Sequence, residues 1–312
     1  MENLILSFHV VLPLFICISL GYFLKKIKLC DEKSLNVINK LCFKVFLPIY
    51  LFYNIYTTDL SAAFHPKLIL FAVGGLIAIF FALMMLVPKI EKENTRRGVL
   101  IQAVFRSNFA LFGLPVALSL CGVELIGPTS VLLGLTVPVF NVLAVIALET
   151  FRGGKPDVKK MLYGIVTNPL IIASVIGIAF YFLKIKLPQG VEKSVVDLGR
   201  VATPLSLVAL GGSFTIGRVK GYTKQLLVGV VGRLVVVPAV MISLGILLGL
   251  RNETLIPVMI MFGAPTAVSS FPMAQQMGGD GELAAELVVF SSGFAIVTIF
   301  LWTFVLKQGG FI

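Results

Sequence analysis

Histidine and acid are what this chain has least of. Two histidines, His9 and His65, and 15 acidic residues stand against 26 lysines and arginines. The four cysteines, Cys17, Cys30, Cys42 and Cys121, show no CxxC spacing and fall mostly within or beside apolar runs. They read as reduced packing residues, and no metal site or catalytic metal is expected. The acids that stand out inside the apolar runs are Asp197 and, at a run's end, Glu149, so a carboxylate dyad or di-metal centre is not expected. HExxH, GxSxG, Walker A and a glycine-rich nucleotide loop after a strand are also missing, and an enzyme is not expected. Direct drive by ATP would need a partner. The first run follows Glu2 and precedes Lys25, Lys26 and Lys28, the reverse of a cleaved signal peptide's charge order, so it reads as a retained span.

What is present is apolar. With 58% hydrophobic and 13% charged residues, the sequence describes an all-α polytopic membrane protein. A spanning helix needs roughly 20 apolar residues. Ten such runs occur, near 4–24, 35–57, 67–87, 98–120, 126–150, 160–183, 191–214, 222–249, 253–275 and 283–306. No strand-like alternation recurs, which argues against a membrane barrel. The net charge of +11 would suggest nucleic acid in a soluble chain. Here the basic residues gather in alternate short loops, so the bilayer and not nucleic acid accounts for them. If the first loop is cytoplasmic, the inside loops hold fifteen basic residues and the outside segments six. This asymmetry puts both termini outside the cytoplasm, in a multi-pass protein of the plasma membrane.

Two runs stand out for combining proline with polar residues or glycine. Phe105 to Leu118, FRSNFALFGLPVAL, holds Asn108, Gly113, Leu114 and Pro115, and Ala264 to Gln275, APTAVSSFPMAQ, holds Pro265, Ser269, Ser270 and Pro272. Proline removes a backbone donor and clashes with the preceding turn, so breaks are expected near Gly113 and Pro115 and near Ser270 and Pro272. Irregular backbone at membrane depth survives where protein buries it or where it lines a polar cavity. Half-helix N-termini there would favour an anion.

An internal register links the two breaks. An offset of 156 residues sets Pro13 on Pro169, Pro48 on Pro204 and Lys44 on Arg200, and an offset of 157 sets Pro115 on Pro272 and Asn108 on Pro265. The halves, 1–150 and 151–312, thus read as two five-helix repeats, inverted because five is odd. Polar residues inside spans are functional candidates by default: Lys40, Lys44, Arg106, Asn108, Asn141, Asp197, Arg200 and Arg233, with Ser269 and Ser270. Lys44 and Arg200, as repeat equivalents, either frame a carboxylate or snorkel to an interface.

These features resemble the auxin efflux carrier family, including bacterial members described as malonate transporters. The resemblance rests on the two-half layout, NFALFGLP from Asn108 to Pro115, Thr167-Asn168-Pro169, and the proline segment from Pro265 to Pro272. It implies broken crossover helices 4 and 9. Spans 1, 2, 6 and 7 would form a scaffold, spans 3–5 and 8–10 a transport domain moving as an elevator. The implied activity is secondary or facilitative transport of a small organic anion, a malonate-like dicarboxylate or an auxin-like acid. The expected substrate contacts are Asn108, Gly113, Leu114, Pro115, Asn141, Pro265, Ser269, Ser270, Pro272, Lys44 and Arg200. No cofactor is expected; the coupling ion, proton or sodium, and a homodimer are left open. The alternatives are a sodium-coupled organic-anion symporter and a membrane receptor that binds without transporting.

Overall fold

The structure is a computed structural model, and it describes residues 2–57, 65–110, 116–117, 120, 127–152, 158–214 and 221–312, without the side chains of 2–11, 158, 160 and 161. The described residues are helical, with a single isolated antiparallel bridge and no strand. The helices are α1 (Glu2–Lys26), α2 (Glu32–Tyr56), α3 (Pro66–Ile90), α4 (Asn94–Phe105), α5 (Gly127–Thr150), α6 (Val158–Val166), α7 (Pro169–Phe182), α8 (Gln189–Ser213), α9 (Thr223–Leu247), α10 (Leu255–Gly263), α11 (Ser270–Gln276) and α12 (Gly281–Gln308). Among them α2, α3, α5, α8, α9 and α12 are long and apolar enough to cross a membrane. Their bounds lie within a few residues of the expected spans. Leu70, Phe81, Met85 and Leu247 stand exposed on these helices, where lipid would cover them.

Three expected spans are not continuous helices. The run 160–183 is divided into α6 and α7. Pro169 cannot donate a backbone hydrogen bond and disfavours helical backbone at Asn168, whose side chain then accepts from Leu170 N at 2.9 Å as a helix cap. The runs 98–120 and 253–275 are interrupted at 106–108 and 264–269. The expected break at Gly113 and Pro115 lies outside the described residues.

Packing is most extensive among α1, α2, α7 and α8 on one side, and among α3, α4, α5, α9, α10 and α12 on the other. The tightest approach is α1 on α8. A Cβ on Gly21 would meet Val208 O at 2.0 Å, and one on Gly211 would meet Ile18 O at 1.9 Å. Gly211→Val should therefore destabilise the protein by about 2 kcal/mol through forced separation of the two helices. Gly74→Ala, where nothing lies within 4 Å, is the neutral control. Detergent melting curves read the difference, and coincident curves would show that this contact tolerates a side chain.

One end of the molecule gathers the connections assigned to the inside. Arg96 Nε meets Asp280 Oδ2 at 3.2 Å, Asp280 N donates to Thr95 O at 3.0 Å, and Lys224 Nζ donates to Ile90 O at 2.7 Å. Tyr222 donates to Asp280; burial, and then the charge of Asp280, push its phenol up to about 12. Burial alone would raise the Glu91 carboxyl, but donation from Glu93 N and the Gln225 amide holds it below the usual range. At the same end Gln275 of α11 bonds Asn36 and Asn39 of α2, tying the two packing groups together.

Candidate functional site

The two interrupted runs meet at their breaks. The helix α4 ends at Phe105 and Arg106 turns extended, with φ −85 and ψ 110. Likewise α10 ends at Gly263 and Ala264 is extended, with φ −65 and ψ 153. Asn108 N then donates to Pro265 O at 2.8 Å, Ala267 N donates to Arg106 O at 3.2 Å, and Ser107 faces Thr266 in the antiparallel bridge. Each break satisfies part of the other's backbone, as hydrocarbon surroundings require. The Thr266 hydroxyl donates to Ala103 O at 2.9 Å, and Thr266 N donates to Ser291 Oγ at 3.2 Å.

The second break has a plain local cause, because Pro265 forces the residue before it into extended backbone. The first has no proline at 106–108. Its signal is the polar trio Arg106-Ser107-Asn108 inside an apolar run, since serine and asparagine bond local backbone in non-helical conformations. This break is additional to the one expected at Gly113–Pro115, which lies outside the described residues. Ser270 and Pro272 likewise do not form the second break. They lie in the first turn of α11, where proline's missing donor costs nothing.

Beside the paired breaks is a cavity of about 70 Å³, room for a few waters or an anion of a few heavy atoms. Its walls come from both packing groups. Tyr50 and Leu51 of α2, Leu170 of α7, and Thr203 and Ser206 of α8 face Arg106, Ser107, Asn108, Phe140, Asn141, Ala267 and Ser269.

Arg106, 4% exposed, supplies the charge. Its guanidinium donates to Asn141 Oδ1 at 2.5 Å and Met273 Sδ at 2.8 Å, with Ser270 Oγ at 3.5 Å. Among the described residues no carboxylate lies within ion-pair distance of it. Asn141 is fixed in turn by donation to Val137 O at 2.8 Å. Among the described residues, Asn108 Nδ2 and Ser107 Oγ beside Arg106, and also Ser206 Oγ of α8 in the same walls, are buried without a hydrogen-bond partner.

The expected site residues thus separate. Asn108, Asn141 and Ser269 line the cavity; Pro265, Ser270 and Pro272 adjoin it. Gly113, Leu114 and Pro115 lie outside the described residues. Lys44 and Arg200 are exposed and absent from the cavity walls. Lys44 falls in a π-helical turn, Cys42–Phe46, which shifts the helix phase so that Leu47 and Tyr50 face inward and Lys44 does not. Arg200 misses the buried stripe of α8 formed by Gly199, Ala202 and Ser206. Sequence inspection passed over Ser107, Tyr50, Thr203 and Ser206 in the walls. It also missed Glu286, buried in α12 with Oε2 unpartnered, although its charge inside an apolar run was the available signal.

A helical membrane chain whose two broken segments meet beside a small cavity with polar groups in its walls has the construction of a solute carrier. Residues 6–303 match the family described as membrane transport protein, and the chain belongs to it, the auxin efflux carrier family that the motifs resemble. It is similar to an uncharacterized transporter of Methanocaldococcus jannaschii, 25% identical over 310 residues, covering 95% of this chain and 98% of that one. It is also similar to one of Methanothermobacter thermautotrophicus, 23% identical over 306 residues, covering 96% and 98%. The protein is a multi-pass membrane transporter and not an enzyme.

Proposed function

We propose that this transporter moves small organic anions, carboxylates of malonate's size, across the plasma membrane. The observation that carries this reading is Arg106: a buried guanidinium facing a cavity, with no carboxylate partner among the described residues and with two unpartnered polar groups beside it. A buried cation left so is costly unless an anion completes it. A carboxylate accepts both forked guanidinium donors and still has lone pairs for Asn108 and Ser107.

The placing of the cavity between the two packing groups favours alternating access by sliding one group past the other. In that scheme α1, α2, α7 and α8 stay fixed as scaffold while α3, α4, α5 and α9–α12 carry Arg106 and its anion as an elevator. The repeat register and the mutual pairing of the breaks favour ten spans in two inverted halves, with both termini outside. The test is uptake of radiolabelled mono- and dicarboxylates into proteoliposomes under imposed proton and sodium gradients. Saturable uptake of a short carboxylate, competed by malonate, is the expected result. A reconstituted protein that moves none of the panel under any gradient would end this reading.

A further inference from the structure

A second arginine does not face the cavity at all. Arg233 is fully buried, and its hydrogen bonds all go to backbone carbonyls. Nε donates to Ala264 O at 2.6 Å and one terminal nitrogen to Met261 O at 2.8 Å; the other terminal nitrogen reaches Val104 O and Phe105 O, each at 3.2 Å. Two of these carbonyls close α4 and the other two close α10. The final carbonyls of a helix have no partner within it, and apolar surroundings offer none. A helix C-terminus also carries about −0.5 of a unit charge, so two ends converging on one point sum to about one negative charge. One guanidinium therefore satisfies the carbonyls and balances the field together, without a carboxylate.

The sequence of α9 is built to deliver it. A π-helical turn, Gly232–Val236, carries Arg233, and Trp302 Nε1 donates to Leu234 O in the same turn at 3.0 Å. Gly232 lets α9 lie close to α4: a Cβ there would meet the Val104 side chain at 3.2 Å. The repeat offset of 157 that sets Pro115 on Pro272 places Leu76 opposite Arg233, and Leu76 is buried. One half of the chain thus supplies the cation for the helix ends of both.

We propose that Arg233 is the positioning residue of the crossover, a resident cation whose fork joins the α4 and α10 ends and so holds Arg106–Asn108 in register against Pro265–Ala267. The carbonyl cage it fills is a guanidinium site. Removing the side chain opens that cage to a small guanidinium ion from solution. The inference builds on the proposed carrier site, but its test reads the backbone pairing and needs no substrate.

The test joins the facing residues of the bridge. Ser107→Cys and Thr266→Cys are introduced into the full chain with the native cysteines replaced by alanine, and disulfide formation under mild oxidant is timed. With Arg233 present, cross-linking should be rapid. Arg233→Ala should slow it about tenfold, the order expected from losing hydrogen bonds to a charged group. Millimolar methylguanidinium should restore the rate and ethylammonium, a point charge without the fork, should not. Cross-linking of Arg233→Ala at the unsubstituted rate, or a loss that methylguanidinium leaves unchanged, would overturn the proposal. If Arg233→Ala fails to fold, Arg233→Lys replaces it: several-fold slower cross-linking upholds the fork, and an unchanged rate rejects it. Failure of every carboxylate in the uptake panel would remove the carrier reading while leaving this result intact.

Discussion

Arg106→Ala should abolish most carboxylate uptake, lowering the initial rate at subsaturating substrate by about 100-fold, the order seen when one member of a buried, hydrogen-bonded charge pair is truncated. The reasoning is electrostatic. In a cavity walled by Phe140, Leu51 and Leu170, an entering carboxylate gives up its hydration, and Arg106 is the cationic side chain among the described residues that line it. Arg106→Lys should recover part of the rate, since an ammonium keeps the charge and loses the planar fork. The protein should stay folded in both variants, because Arg106 bonds side chains and a sulfur and leaves the bridge backbone to itself. Proteoliposome uptake with size-exclusion profiles in parallel reads both quantities. Unchanged uptake in Arg106→Ala would remove the anion site from this cavity.

The second large effect is expected at Asn108, with its sign set by the substituent. Asn108→Asp adds a carboxylate to the cavity that holds Arg106 and should supply internally the anion that the substrate otherwise provides. Uptake should fall as far as in Arg106→Ala. Asn108→Ala removes one donor and should raise the apparent KM about tenfold, in line with one hydrogen bond to a charged group. Asn108 N and Pro265 O keep their bond in either variant, so melting temperatures should change little. Equal apparent affinity in wild type, Asn108→Ala and Asn108→Asp would take Asn108 out of the site.

How much of this could be read in advance depended on the range of the cause. Runs such as 67–87 and 283–306 declare α3 and α12 because a membrane helix needs little beyond length and apolarity. The break at 264–269 follows from a proline acting on its neighbour. Asn141 and Asn108 were visible as polar residues in apolar runs. Lys44 misled because a single π-helical turn alters which side of α2 faces inward, and nothing local in Cys42–Phe46 announces it. Arg106 is one polar candidate among several in the sequence, and the fold singles it out by placing it beside Asn141 and beyond ion-pair distance of every described carboxylate. Arg233 was harder still. Its partners at 104, 105, 261 and 264 are distant in the chain and are backbone atoms, which leave no mark on residue type.

The antiparallel bridge between Ser107 and Thr266 has a directional consequence. The two segments it joins run opposite ways, so the peptide groups follow in the same order from either end of the bridge. On the proposed carrier reading, inward and outward journeys become one path walked in two senses. What breaks this evenness is side chain: Arg106 stands on one segment, and the residue paired with it across the bridge is Ala267. An anion bound as proposed would sit off-centre, toward the segment from the first half of the chain.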